Sequence, residues 1–326
     1  MHTQSHTVSE LHAFIGMDEA GLGPNLGPLV VTGTRWEFPE PAAQIEFYKR
    51  LRDVVSQKST EQGTRLHIAD SKEVYSSSHG LKTLERAALA LLGVAGCQAR
   101  SSTDLIHWLS GVTQADVLGG ELWTEKYDLP IPFECEAADI EQWCDVLLKA
   151  LQREGIQLQQ VTSEVVFPRR FNALIEQHDN KALVLSGVSM GLLGKLWDPD
   201  TEQPAYIVGD KHGGRNRYDH LLAQITGDHM IFRCEEGMKL SRYRVANAEI
   251  RFQVGGEEHL PVAAASIVSK YIRELTMEAF NRYWQEQLPD LRPTKGYPTD
   301  AKRFRNETSE KRLELSIPDN DFWRCR

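Results

Sequence analysis

Four acidic residues stand where chemistry is possible. Asp18 and Glu19 end an apolar segment just ahead of glycines, Asp210 closes the run AYIVGD, and Glu274 lies in a long helical pattern. Clustered carboxylates are hard oxygen donors suited to Mg²⁺ or Mn²⁺. Two such ions, roughly 3.5 to 4 Å apart, can activate water and stabilise the leaving oxygen of a phosphodiester. Each acid alone also has an ordinary explanation: a turn at Asp18-Glu19, an Asx-type turn at Asp210 before Lys211-His212-Gly213-Gly214, and a helix-surface ion pair between Glu274 and Lys270. The metal reading therefore requires the four to converge. Other hydrolytic chemistries lack their residues. There is no H-E-x-x-H pattern and no G-x-S-x-G elbow, and GLGPNLG has no G-K-[ST] ending for a nucleotide-phosphate loop.

The elements that must position these acids are legible from periodicity. FIGMD, EAGLGPNLG and PLVVTGT read as strand, glycine-punctuated turn and strand, with adjacent side chains on a regular strand facing opposite sides. Asp18 and Glu19 can share one site only if the strand ends there, which Gly21 would allow. Leu81, Leu84, Ala88, Leu91 and Leu92 recur at helical spacing after Ser76–Ser78, a candidate cap. A second stripe runs through Ile140, Trp143, Leu147, Leu148 and Leu151. VTSEVVF, AYIVGD, HMIFRC and the alternation Ala248, Ile250, Phe252, Val254 read as strands, with one long helical stretch before Trp197. VAAASIVSKYIRELTMEAFNRYWQEQL is the longest helical pattern, broken at Pro289. Strands interleaved with helices predict an α/β layered fold, since each amphipathic helix must bury its stripe against a sheet.

Composition is that of a globular chain of 326 residues, and no apolar run approaches the roughly 20 residues of a membrane span. Five widely spaced cysteines without a C-x-x-C pair argue against a disulfide framework, so a soluble, cytoplasmic protein is expected. The net charge of -9 disfavours a phosphate-bearing partner only on average. Residues 95 to 166 carry 4 basic against 12 acidic side chains, so a nucleic acid would avoid that stretch and could approach the rest. This gives an acidic insertion at about 95–160 bearing Trp108, Trp123 and Trp143, a candidate surface for a protein partner. The first 13 residues read as a flexible N-terminal segment.

Five blocks in order resemble the type 2 ribonuclease H family (ribonuclease HII). Asp18-Glu19-Ala20-Gly21-Leu22-Gly23-Pro24 is similar to its D-E-A-G-R-G-P motif, and Asp70-Ser71-Lys72 to its D-S-K segment. Ile207-Val208-Gly209-Asp210 is similar to the strand presenting its third acid. Ala263 to Glu274 resembles A-A-A-S-I-I-A-K-x-x-R-D, and Gly296-Tyr297-Pro298-Thr299 resembles the G-Y-P/G-T block. The resemblance implies an RNase H-like mixed five-stranded sheet flanked by helices, spanning residues 14–326 with insertions at about 95–160 and 214–255. It implies endonucleolytic cutting of the RNA strand of RNA/DNA hybrids at a two-metal site of Asp18, Glu19, Asp210 and Glu274. It further implies that Gly21, Leu22, Gly23 and Tyr297 line the ribose and that Lys72, Lys270 and Arg273 lie near phosphates.

Two departures matter. The family's arginine between the glycines is Leu22 here, so the backbone of Gly21 and Gly23 with Tyr297 must read the 2′-hydroxyl without it. The last acid is Glu274 rather than aspartate, as in type 3 enzymes. Leu22 leaves open a nuclease of the same fold acting on structured or single-stranded DNA. A non-catalytic nucleic-acid or protein-binding module is the other alternative, and retention of all four acids argues against it.

Overall fold

Alternation along the first strand, β1 (His12–Ala20), divides the interior in two. Phe14 faces one core with Val30 and Trp36 and with Val262, Ala264 and Ile267 of the helix Leu260–Gln287. Ala13, Ile15 and Met17 face the other, with Val31 and with Leu192 and Leu193 of the helix Lys181–Leu196. The sheet thus carries helices on both faces, as its apolar alternation requires. The structure is a computed structural model and describes residues 11–60, 63–75, 80–111, 121–178 and 180–325. The Ser76–Ser78 cap and the first ten residues lie outside the described residues.

The remaining strands are β2 (Leu29–Phe38), β3 (Val55–Ser56), β4 (Leu66–His67), β5 (Gln157–Val166), β6 (Ala205–Asp210), β7 (Ile231–Glu236), β8 (Leu240–Val245) and β9 (Ala248–Gln253). Seven of them form one mixed sheet in the order β5-β2-β1-β6-β9-β8-β7, and β3 pairs with β4 separately. β1, β2 and β5 are antiparallel neighbours, whereas β6 lies parallel to β1 and β9 parallel to β6. The sheet is mixed, as expected, but has seven strands rather than five. LSRYRV, which shows no clean alternation of apolar residues, pairs antiparallel with β9 and brings β7 with it. That pairing satisfies the outer backbone groups of β9.

The long helical stretch before Trp197 is two helices, Pro168–His178 and Lys181–Leu196. Asn180 starts the second by accepting the Ala182 N–H at 2.7 Å. Within residues 95–160, the helix Ala137–Arg153 shares a core with the helix Lys82–Val94, and Trp123 meets Phe280 edge-on at 5.0 Å. Buried Glu85 holds this region down: its carboxylate accepts the N–H groups of Phe133, Glu134 and Cys135 and the Tyr271 hydroxyl, all at 2.6 to 2.7 Å. No described helix is long and apolar enough to cross a membrane.

One close approach positions the site. A Cβ on Gly16 would lie 2.3 Å from the Pro261 carbonyl carbon, so glycine lets the start of the helix Leu260–Gln287 rest directly on β1. Ser269 on that helix reaches Thr32 Oγ1 at 2.7 Å and the Asp18 carbonyl at 3.2 Å.

Candidate active site

β1 does not end at Asp18-Glu19 but runs on to Ala20; it is the neighbouring strand that stops. The last pair between β1 and β6 is Met17 with Gly209, so Asp18 falls level with Asp210, the last residue of β6, and Glu19 lies one residue beyond that strand. Asp18 and Asp210 both follow the side-chain phase that faces the helix Leu260–Gln287, while Glu19 takes the opposite phase. The parallel strands β1, β6 and β9 end together here, the place where α/β sheets open a crevice. β9 runs into Gly255, whose φ of +74° turns the chain into the short turn Gly256–Glu258. That turn brings in a carboxylate absent from the sequence reading. Oxygens of Asp18, Asp210 and Glu257 all lie within 4.8 Å of one another.

The electrostatics follow from crowding. Burial, then Glu19, pushes the Asp18 carboxyl well above its ordinary value, against a Ser266 hydrogen bond that pulls it down. Glu19 is raised to about 7 by burial and then by Asp210. Burial also raises Asp210, although backbone N–H groups of Lys211, Gly256 and Gly255 favour its anion, and Glu257 is raised by burial and then by Asp210 among its neighbours. Asp210 Oδ1 is buried with no hydrogen-bond partner. An all-oxygen set of crowded acids with an orphaned oxygen fits a hard divalent cation. Lys72, at 3.7 Å from Asp70, feels Asp18, Glu257 and Asp210, which raise its ammonium against desolvation.

Glu274 is placed differently. Its Oε1 accepts Lys270 Nζ at 2.6 Å, and its Oε2 accepts Lys295 Nζ at 2.6 Å and the Tyr75 hydroxyl at 2.8 Å. Although burial opposes it, the two ammonium groups hold the carboxyl down to about 2. Lys270 therefore sits at the edge of the site, tied to Glu274. Lys295 and Tyr75 were not singled out from sequence; the only local hint was that Lys295 abuts Gly296-Tyr297. For Glu257 the hint was an acid just after the Gly255-Gly256 turn that ends a strand.

The glycine loop after β1 is held from behind. Arg273 is buried and donates to the carbonyls of Pro28 (2.7 Å), Leu26 (3.2 Å) and Lys295 (3.1 Å), so its guanidinium supports the loop rather than facing a substrate. Arg324, unmarked by any motif, is also buried and donates to the carbonyls of Gly21 (2.6 Å) and Pro24. Gly21 has φ of +90°, and a Cβ there would lie 2.6 Å from the Pro28 oxygen. Leu22 is half-buried against the second core, while Gly23 is exposed with open space on its Cβ side. The Gly296 carbonyl accepts the Asn25 N–H at 2.8 Å, which brings Tyr297, 54% exposed, beside that loop.

No protein-family model matches the chain, and no curated protein does. Among solved structures it is similar to the ribonuclease H2 of Pyrococcus horikoshii OT3, with 14% identity, a TM-score of 0.43, and 95% of this chain against 92% of that one covered. It is also similar to a chain of the PCNA:RNase HII complex of Archaeoglobus fulgidus, with 16% identity, a TM-score of 0.39, and 96% against 94% covered. The RNase H3 of Aquifex aeolicus gives 15% identity, a TM-score of 0.41, and 95% against 70% covered.

Proposed function

We propose that this chain is a metal-dependent endonuclease that hydrolyses the RNA strand of RNA/DNA hybrids. The observation that carries the reading is the convergence of Asp18 and Asp210, with Glu19 beside them, at the common end of three parallel strands, one oxygen left buried without a partner. The five sequence blocks support the substrate class. Asp18, Glu19 and Asp210 would hold Mg²⁺ or Mn²⁺ in a two-metal site. When bound, such ions supply Lewis acidity that makes water a nucleophile at neutral pH and stabilises charge on the scissile phosphate.

The chain's own residues supply the rest. The exposed Gly23 backbone and Tyr297 line the path of a ribose, where a 2′-hydroxyl distinguishes RNA from DNA. Lys72, its side chain 85% exposed beside the acids, meets a phosphate as a mobile point charge. Lys270 and Lys295 offer fixed ammonium groups one step away. The acidic 95–160 stretch would lie off the nucleic-acid path and is free to meet a protein partner. Five free cysteines support a reducing, cytoplasmic setting.

Leu22 favours a second reading, a nuclease of the same site acting on structured or single-stranded DNA, because the charged reader next to the ribose is missing. Cleavage assays with Mg²⁺ and with Mn²⁺ on an RNA/DNA hybrid, on duplex DNA with one ribonucleotide, and on all-DNA substrates separate the two. Cutting confined to ribonucleotide-bearing strands is expected. Cutting of DNA alone would establish the second reading, and no cutting of any substrate would leave a binding module.

A further inference from the structure

We infer that Arg324 is a positioning residue for the glycine loop between β1 and β2: it holds residues 21–25 from behind, so that the exposed Gly23 backbone meets the sugar edge of the substrate strand in one fixed place. This rests on the RNA-cutting reading above. Side chain and backbone both make the attachment. Arg324 Nη2 donates to the Gly21 carbonyl at 2.6 Å and to the Pro24 carbonyl. The Arg324 N–H donates to the Asn25 carbonyl at 2.8 Å, and Asn25 Nδ2 returns a bond to the Arg324 carbonyl at 3.1 Å. Both ends of the loop are thus tied to one residue, Leu22 packs against the second core, and Gly23 between them stays exposed.

The segment that carries Arg324 is itself fixed. Two consecutive residues of the helix Pro168–His178 grip it. The Arg324 guanidinium lies over the Phe171 ring, 4.7 Å from its centroid, while Asn172 Nδ2 donates to the carbonyls of Asn320 (3.0 Å) and Trp323 (2.8 Å) and its Oδ1 accepts the Cys325 N–H at 2.8 Å. Arg169, one turn earlier on the same helix, pairs with Asp321, and Phe322 is buried in a third core with Phe280, Trp284 and Phe304. Stability alone accounts badly for Arg324. Its guanidinium is buried, its Nε and Nη1 have no hydrogen-bond partner among the described residues, and burial, then Arg273, works against its charge. A buried charge left partly unpaired is unfavourable, and an apolar side chain would fill the place at less cost. Arg324 fixes geometry instead. Gly21 stands at φ of +90°, and its carbonyl and that of Pro24 converge on the same nitrogen, so one rigid planar donor sets the position of both. With Leu22 where a charged reader would stand, this loop offers a ribose only its backbone, and such groups discriminate only while they are held in place.

Full-length Arg324→Met, Arg324→Lys and Asn172→Ala test this through amide hydrogen exchange of residues 20–26, calorimetric Mn²⁺ titration and steady-state cleavage of an RNA/DNA hybrid. Arg324→Met should speed exchange in the loop about tenfold or more and raise KM for the hybrid about tenfold, with kcat and Mn²⁺ affinity within about twofold of wild type, because the acids stand on strands and not on the loop. Arg324→Lys, whose ammonium can still reach a carbonyl, should recover part of both losses. Asn172→Ala touches the segment and not the loop, so it should move exchange and KM in the same direction, and with Arg324→Lys it carries the test if Arg324→Met fails to fold. Loop exchange and KM at wild-type values, with kcat falling only in proportion to the folded fraction, would make Arg324 a purely structural residue and overturn the inference. If wild type cuts no hybrid, the RNA-cutting reading falls, and loop exchange alone decides whether Arg324 holds the loop; unchanged exchange overturns that role whatever the protein cuts.

Discussion

Asp210→Asn should abolish cleavage and yet raise the stability of the metal-free protein. The carboxylate sits with Asp18 and Glu257 inside a 4.8 Å neighbourhood, and its own pKa is raised despite three backbone donors that favour the anion. Its ionised form is therefore a net liability in the metal-free protein. At an effective dielectric of about 20, a pair of unit charges at such a separation repels by about 3 to 4 kcal/mol, and proton sharing among the acids cuts the realised relief to about 1 to 2 kcal/mol at neutral pH. For a chain of 326 residues that is roughly 1.5 to 3 °C in Tm. The sign with pH is fixed by the raised values. Stability contributed by a carboxyl whose pKa rises on folding is fully present below its unfolded pKa and is lost as pH climbs through its folded one, about 7 for Glu19. Metal-free wild type should lose stability as pH rises from about 4.5 to 7, and Asp210→Asn should lose less. Differential scanning calorimetry in chelator at pH 4.5 and pH 8 reads both effects. An Asn variant that is less stable at pH 8, or a difference that does not change with pH, would refute the crowding argument; near-normal cleavage would remove Asp210 from the site.

Gly16→Ala should destabilise by about 3 kcal/mol in chemical denaturation, because its Cβ would meet backbone atoms of Pro261 and Val262 at 2.3 to 2.4 Å and neither can step aside. A loss below about 1 kcal/mol would mean the helix start is not seated on β1 as described. Glu274, held down to about 2, should contribute about 3 kcal/mol that is present above pH 4.5 and lost as pH falls toward 2. Glu274→Gln should therefore be less stable than wild type at pH 7 with the gap closing in acid, and a gap that stays constant in acid unfolding curves would contradict this. Leu22 offers no charge to the scissile phosphate, so runs of ribonucleotides should be cut much better than a single one embedded in DNA. Leu22→Arg should narrow that ratio of kcat/KM by about one to two orders of magnitude. Equal kcat/KM on the two substrates in wild type would sink the idea.

What the sequence made legible is what periodicity encodes. The alternation around Asp18, the apolar run ending on Asp210 and the long helix carrying Lys270 and Glu274 all fall in the expected kinds of element, and two of the four expected acids, Asp18 and Asp210, meet in one oxygen cluster. Which carboxylate joins them was not legible, because a motif fixes a residue's place on a helix and not the charges that will face it. Lys295 and Tyr75 come from segments 21 and 199 residues away from Glu274, and together they decide its partners. The glycine loop shows the same limit more sharply. Its glycines announce a tight turn, but the carbonyls that the turn leaves pointing inward need donors. Those donors are Arg273, read from the motif as a phosphate contact, and Arg324, 303 residues from the Gly21 carbonyl it binds. An arginine within the helix-period pattern looks the same in sequence whether its guanidinium faces solvent or the back of a loop; at Arg273 the choice is made by the carbonyls of Pro28, Leu26 and Lys295, which come from segments 22 to 247 residues away and accept from it.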